Sequence, residues 1–180
     1  MITFMATTIA TQRGLASDLV RGAIGGLVAG IIFAVATMWF VTSLGMPART
    51  PLLMISTIVL GDDAMTNGDA NSAIGWIVHL VLSIAFGLVF ALIARRFRTN
   101  GEVALAGLVY GGLLYVVNFQ ILARVWFETF RMANQPFEVV LHIVFGALIA
   151  VALYNSGPRR GEPLFGLSSP SYREPLGQRG

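Results

Sequence analysis

Cysteine and lysine are absent from this 180-residue chain, and histidine occurs only twice. Without cysteine there are no disulfides, no thiolate metal sites and no cysteine nucleophile. Charge is also scarce. Only 12% of the residues are charged, against about a quarter in a soluble domain. The patterns of common enzymes are missing too: there is no hydrolase elbow, no phosphate-binding loop and no HExxH. The N-terminus lacks the charged region, short apolar core and small-residue site of a cleaved signal peptide, so none is expected.

Apolar surface is what the chain has in abundance. Hydrophobic residues make up 56% of it, and the mean hydropathy is +0.74. Such a composition describes an integral membrane protein, with the lipid bilayer as its first partner. All twelve basic residues are arginine. They gather at the ends of apolar stretches, where they read as topology determinants and not as a nucleic-acid surface.

Four stretches are long enough to cross about 30 Å of hydrocarbon. They are Leu19–Leu44, Ala73–Ala94, Val103–Val125 and Phe137–Tyr154. Lipid offers backbone groups no partner, so each is expected to be helical. A fifth run, Leu52–Leu60, is too short to span and is bracketed by Pro47, Pro51 and Gly61. It reads as an interfacial or re-entrant helix. The expected fold is therefore all-α: a polytopic four-helix transmembrane bundle over residues 19–155. A cytoplasmic segment, 1–18, precedes it. A tail, 156–180, rich in Gly, Pro and Ser, follows it and is expected to be disordered. That tail repeats Glu-Pro-Leu at Glu162–Leu164 and Glu174–Leu176, which reads as a solvated tail or a docking peptide.

An even number of spans puts both termini on one side. That side holds Arg13, Arg21, Arg95, Arg96, Arg98, Arg159 and Arg160; the other holds Arg49, Arg124 and Arg131. The excess places both termini in the cytoplasm, and the expected location is a bacterial inner membrane. Trp39, Trp76 and Trp126 all fall near the opposite interface, where indole rings prefer to sit.

Two words repeat along the chain. Gly26-Leu27-Val28-Ala29-Gly30 in the first span matches Gly107-Leu108-Val109-Tyr110-Gly111 in the third. His79-Leu80-Val81-Leu82 in the second matches His142-Ile143-Val144-Phe145 in the fourth. The order suggests two fused hairpins, a 2+2 parallel repeat about an axis along the membrane normal. Gly22, Gly26 and Gly30 fall on one face of the first helix, as Gly107 and Gly111 do on the third. Small-residue faces let helices pack closely, within the bundle or between two copies in a homo-oligomer.

Ionisable groups in lipid are expensive, so His79 and His142 define the candidate site. At about 1.5 Å per residue, His79 lies about 9 Å and His142 about 8 Å below the tryptophan-side edge. Asn118 falls in the same layer, and Thr37 is close to it. Ser83 shares the face of His79, and Glu138 lies one turn outward of His142. Glu138 either accepts a ring N–H and fixes the tautomer, or favours the positive end of its helix. Arg49, between two prolines, either reaches Glu138 or a lipid phosphate or snorkels at the surface.

Several functions fit these residues. The histidines join helices or bind a small polar ligand. Alternatively, they ligate haem b across the core, or a metal ion with Glu138 as third ligand, in an electron-transfer or sensory subunit. A third reading is a small proton-linked transporter built on the histidines and Glu138. Nothing in the residues fixes a cofactor. The favoured reading is a non-enzymatic membrane protein acting in a larger complex or in envelope maintenance.

Three places resemble the YagU-like small inner-membrane proteins, a family without an assigned reaction. They are Met46-Pro47-Ala48-Arg49-Thr50-Pro51, the run His79-x3-Ser83-Ile84-x-Phe86, and Glu138-x3-His142. The resemblance covers about residues 20–155. It implies an inner-membrane protein with His and Glu positions on the outer side, and it supplies no substrate.

Overall fold

The computed structural model describes residues 2–159, and every regular element among them is helical. Four helices are long and apolar enough to cross a membrane. The first, α1 (Ile2–Ser43), starts well before the expected boundary at Leu19. No proline interrupts residues 2–18, so nothing there stops the helix. Next come α2 (Thr50–Leu60), the single turn α3 (Ala64–Asn67) and α4 (Ser72–Ala94). The third span runs Asn100–Val125. It is built from α5 (Asn100–Tyr115), a π-helical stretch at Val116–Leu122, and the short α6 (Ala123–Val125). The last span is α7 (Gln135–Ala152). Residues 157–159, assigned by sequence to the tail, form a 3-10 turn. The rest of that tail, with its Glu-Pro-Leu repeats, lies outside the described residues.

Local chemistry sets the boundaries. The Asn71 side chain accepts from the amides of Ala73 (2.9 Å) and Ile74 (3.3 Å) and caps α4. Thr99 and Glu102 form a reciprocal capping box on α5. Asn134 accepts from the Phe137 amide at 3.1 Å, and Pro136 occupies the first turn of α7. Pro51 starts α2, and Gly61, at φ +87°, ends it.

Glycine decides which helices pair. A Cβ on Gly22, Gly26 or Gly87 would collide with backbone across the α1–α4 seam. On Gly107, Gly111 or Gly146 it would collide across the α5–α7 seam. Each hairpin is thus held by backbone-to-backbone packing of the kind that drives helix association in lipid. A Cβ on Gly75 would strike the Leu52 carbonyl, so α2 lies directly on the first turns of α4. The core between the hairpins gathers Ala29, Phe90, Leu114, Phe145 and Ile149. The outer faces stay apolar: Val81 is 59% exposed, Leu105 64% and Val151 71%. In water such faces would aggregate; in lipid they are solvated.

Polar contacts close both ends. At the arginine-rich end Arg95 pairs with Asp18 at 2.5 Å, and Arg21 donates to the Tyr154 carbonyl at 2.9 Å. Arg159 is only 2% exposed. Its guanidinium donates to the carbonyls of Ala94 (2.6 Å), which also accepts from the Phe97 amide (3.3 Å), and Phe97 (3.0 Å), just where α4 ends. At the tryptophan end Asp62 reaches the loop before α7. It accepts from the amides of Glu128 (3.0 Å) and Thr129 (3.3 Å) and from the Thr129 hydroxyl (2.7 Å).

Candidate functional site: a histidine layer near the tryptophan end

α1 packs on both α4 and α7, and its Phe33 ring touches both imidazoles. The ring centroids lie 5.9 Å from His79 and 5.0 Å from His142, the latter edge-on. His79 turns toward α1, and its Nε2–H donates to the Gly30 carbonyl at 2.8 Å. A carbonyl only accepts, so that nitrogen carries the proton. Ser83, one turn along, donates its hydroxyl to the His79 carbonyl at 2.7 Å and fills the space beside Gly30. Thr37 donates to the Phe33 carbonyl at 2.9 Å, one turn from the ring that links the histidines.

His142 is 6% exposed. Its Nδ1–H donates to the Glu138 backbone carbonyl at 2.8 Å. Nε2 therefore holds the lone pair, facing the Asn118 amide at 3.4 Å. The Glu138 carboxylate is 3.9 Å from Nδ1, farther than the bonded carbonyl. The tautomer is thus set by the backbone of residue 138 and not by its side chain, because the i−4 carbonyl lies directly below the ring. Glu138 is itself 6% exposed. Arg49 stands apart: it is exposed, and its guanidinium makes no ion pair or hydrogen bond among the described residues.

Asn118 sits inside the π-helical stretch, and its carbonyl accepts from the Ala123 amide five residues on. The wider turn aims its amide at His142. π-turns inside α-helices occur often at functional sites. Two further features carry no simple sequence signal. Tyr115 and Phe119 stack on each other and stand edge-on to His142, at 6.1 and 5.4 Å, so aromatic rings enclose that imidazole. Beyond them a polar chain leads outward. Arg124 donates to Gln120 at 2.7 Å, Gln120 to the Tyr115 hydroxyl at 2.6 Å, and Tyr115 to Gln135 at 3.0 Å. The i, i+4 and i, i+5 spacings of these residues are visible in the sequence; their meeting with Gln135 across a loop is not.

The site can fix helix positions, and each imidazole keeps one lone pair. No group of three or more His, Asp or Glu side chains among the described residues is placed to share a metal ion. A family model for proteins of unknown function, DUF6789, matches residues 16–161. The chain belongs to the DUF6789 family. No curated protein and no solved structure matches the chain. The DUF6789 match spans all four membrane-length helices and the whole histidine layer, and it brings no reaction with it.

Proposed function

We propose that this DUF6789 protein is a non-enzymatic protein of the bacterial inner membrane, with both termini in the cytoplasm. It acts in a larger membrane complex or in envelope maintenance, and its histidine layer holds the bundle in one arrangement. One observation carries this reading: both imidazole N–H groups are given to backbone carbonyls, 2.8 Å away in each case. The likeness of the Pro47–Pro51 loop and the His and Glu runs to the YagU-like proteins is in keeping with it. The glycine faces are already used inside the chain, so a complex or homo-oligomer would form through other surfaces.

A haem b or metal subunit would use the remaining lone pairs, His79 Nδ1 and His142 Nε2. The haem would also have to displace Phe33 from its contacts with both rings. An absorbance spectrum and metal analysis of protein purified in mild detergent separate these readings. A colourless, metal-free protein in which His79→Leu lowers thermal stability supports the structural role. A Soret band or stoichiometric metal, lost in both His79→Leu and His142→Leu, overturns it. A second reading, proton-linked transport, draws on the buried Glu138 carboxyl beside His142 and the polar chain from Arg124. It predicts pH-driven flux in liposomes that Glu138→Gln abolishes. A reporter fused at Gly157 and found outside the cytoplasm would overturn the orientation.

A further inference from the structure

The four helices meet in two kinds of seam between hairpins. Where α1 meets α7 the seam is closed: a Cβ on Gly25 would strike Ala152, and Phe40 stacks on Phe137 at 4.0 Å. Where α4 meets α5 it is not. There Phe90 and Tyr110 touch at 5.0 Å, and beside them a cleft of about 380 Å³ opens to the membrane. Ile93 and Phe97 form one wall, and Leu105, Val109 and Leu113 the other. Tyr110 adds little polarity, because its hydroxyl already donates to the Phe86 carbonyl at 3.0 Å.

Length and charge say what fits. Along α5 the cleft runs from Glu102 to Leu113. At about 1.5 Å per residue this is about 16 Å, close to one leaflet of a hydrocarbon core about 30 Å thick. At one end, its mouth, Phe97 and Glu102 line the cleft, in and just after the turn between α4 and α5, and Arg96 and Arg98 flank Phe97 in sequence. Arg95 is engaged by Asp18, whereas Arg96 and Arg98 are exposed. Glu102 sits at the same mouth, and its carboxylate accepts from the amides of Arg98 (2.8 Å) and Thr99 (3.0 Å). Basic mouths on clefts between transmembrane helices are where anionic lipid headgroups bind.

We propose that the α4–α5 cleft is a lipid site: it holds one acyl chain of an anionic phospholipid whose phosphate rests on Arg96 and Arg98. The chain fills an apolar slot that the bundle leaves open, and the headgroup meets two exposed cations, Arg96 and Arg98, the second of which shares its charge with Glu102. Glu102 limits the affinity from the same mouth.

The test is native mass spectrometry of the full-length, delipidated protein titrated with phosphatidylglycerol or phosphatidylcholine of identical chains. One bound phosphatidylglycerol is expected, with phosphatidylcholine at least about tenfold weaker. The double variant Arg96→Gln/Arg98→Gln should lower phosphatidylglycerol affinity roughly 30-fold at low salt. Val109→Trp, at an exposed position that tolerates size, should abolish the bound lipid, whereas Val151→Trp on a distant face should not. Glu102→Gln keeps the capping acceptor and should raise affinity several-fold. Inorganic phosphate should not compete. Equal binding of both lipids, or lipid retained in Val109→Trp, overturns the proposal. So does a dimer that Val109→Trp dissolves with no headgroup preference, which would put a second copy in the cleft.

Discussion

The α1–α4 and α5–α7 hairpins share one packing device and differ in what they do with histidine. In both, glycine backbones touch at positions where a Cβ has no room. In the first hairpin the imidazole crosses the seam and bonds the Gly30 carbonyl of the facing helix. In the second it turns back on its own helix, to Glu138, and its hydrogen bond to the facing span is a long one, to Asn118 at 3.4 Å, beside the Tyr115 and Phe119 rings. The facing helix differs accordingly: α1 is regular through this layer, whereas the third span widens into a π-turn around Asn118. Glycine contact is therefore the common requirement, and the histidine bond is an addition that each hairpin makes in its own way.

Breaking the shared device should have the largest effect. Gly26→Leu would drive a side chain into the Ser83 carbonyl, and Gly111→Leu into that of His142. Backbone cannot yield as a flexible side chain can, so each should cost about 3 kcal/mol or more. Either variant should lose its thermal transition in detergent. Gly112→Ala, with open space around it, is the control and should remain as stable as the parent. If Gly26→Leu and Gly111→Leu melt like the parent, the seams are not what holds the hairpins.

Arg159 ties the end of the second hairpin to the end of the first. Arg159→Ala removes bonds from a charged donor to the carbonyls of Ala94 and Phe97. Hydrogen bonds to charged groups contribute about 1.5–3 kcal/mol. The expected loss is about 2 kcal/mol, with faster amide exchange in the last turn of α4. Unchanged exchange there would mean water replaces the guanidinium without loss.

The histidines should separate the hairpins more finely. Interhelical polar bonds in membranes average about 0.6 kcal/mol and reach about 1.7. His79→Leu removes such a bond and should cost about 1 kcal/mol. His142→Leu removes a bond within one helix and a long contact to Asn118, so about 0.5 kcal/mol is expected. The less buried histidine should thus matter more. Thermal melts of both variants check this, and a larger loss for His142→Leu would reverse the ranking.

Much of this fold is legible in the sequence, because a lipid span demands a long apolar run. The apolar run predicts the second span over residues 73–94, and α4 occupies Ser72–Ala94. The start of α1 was not legible, since mildly apolar residues without proline carry no stop signal. The layer of His79, His142 and Asn118 followed from rise per residue alone. What encloses it did not: Phe33, Tyr115 and Phe119 lie on helices whose glycine stripe marks one seam but whose large apolar residues lie all round, so nothing singles out the rings that meet the imidazoles. The π-turn at Asn118 has no marker residue either. Arg159 was visible as a charge; its burial depends on where α4 ends, which no local pattern encodes.

The smallest effect concerns how the hairpins are joined at the tryptophan end. Asp62, from the loop before α4, accepts three bonds from Glu128 and Thr129 in the loop before α7. The Thr129 hydroxyl, foremost, and the two amides hold its carboxyl below the ordinary value of 3.8. A depressed carboxylate pKa stabilises the folded state above the unfolded value. That contribution should be constant above about pH 5 and be lost as pH falls through the folded pKa, below about 4. Because Asp62 is largely solvated, screening keeps the effect small. Thr129→Val removes the largest cause, so an NMR titration should find the Asp62 carboxyl moved back toward 3.8. An unmoved titration would show that the amides alone hold the loops together.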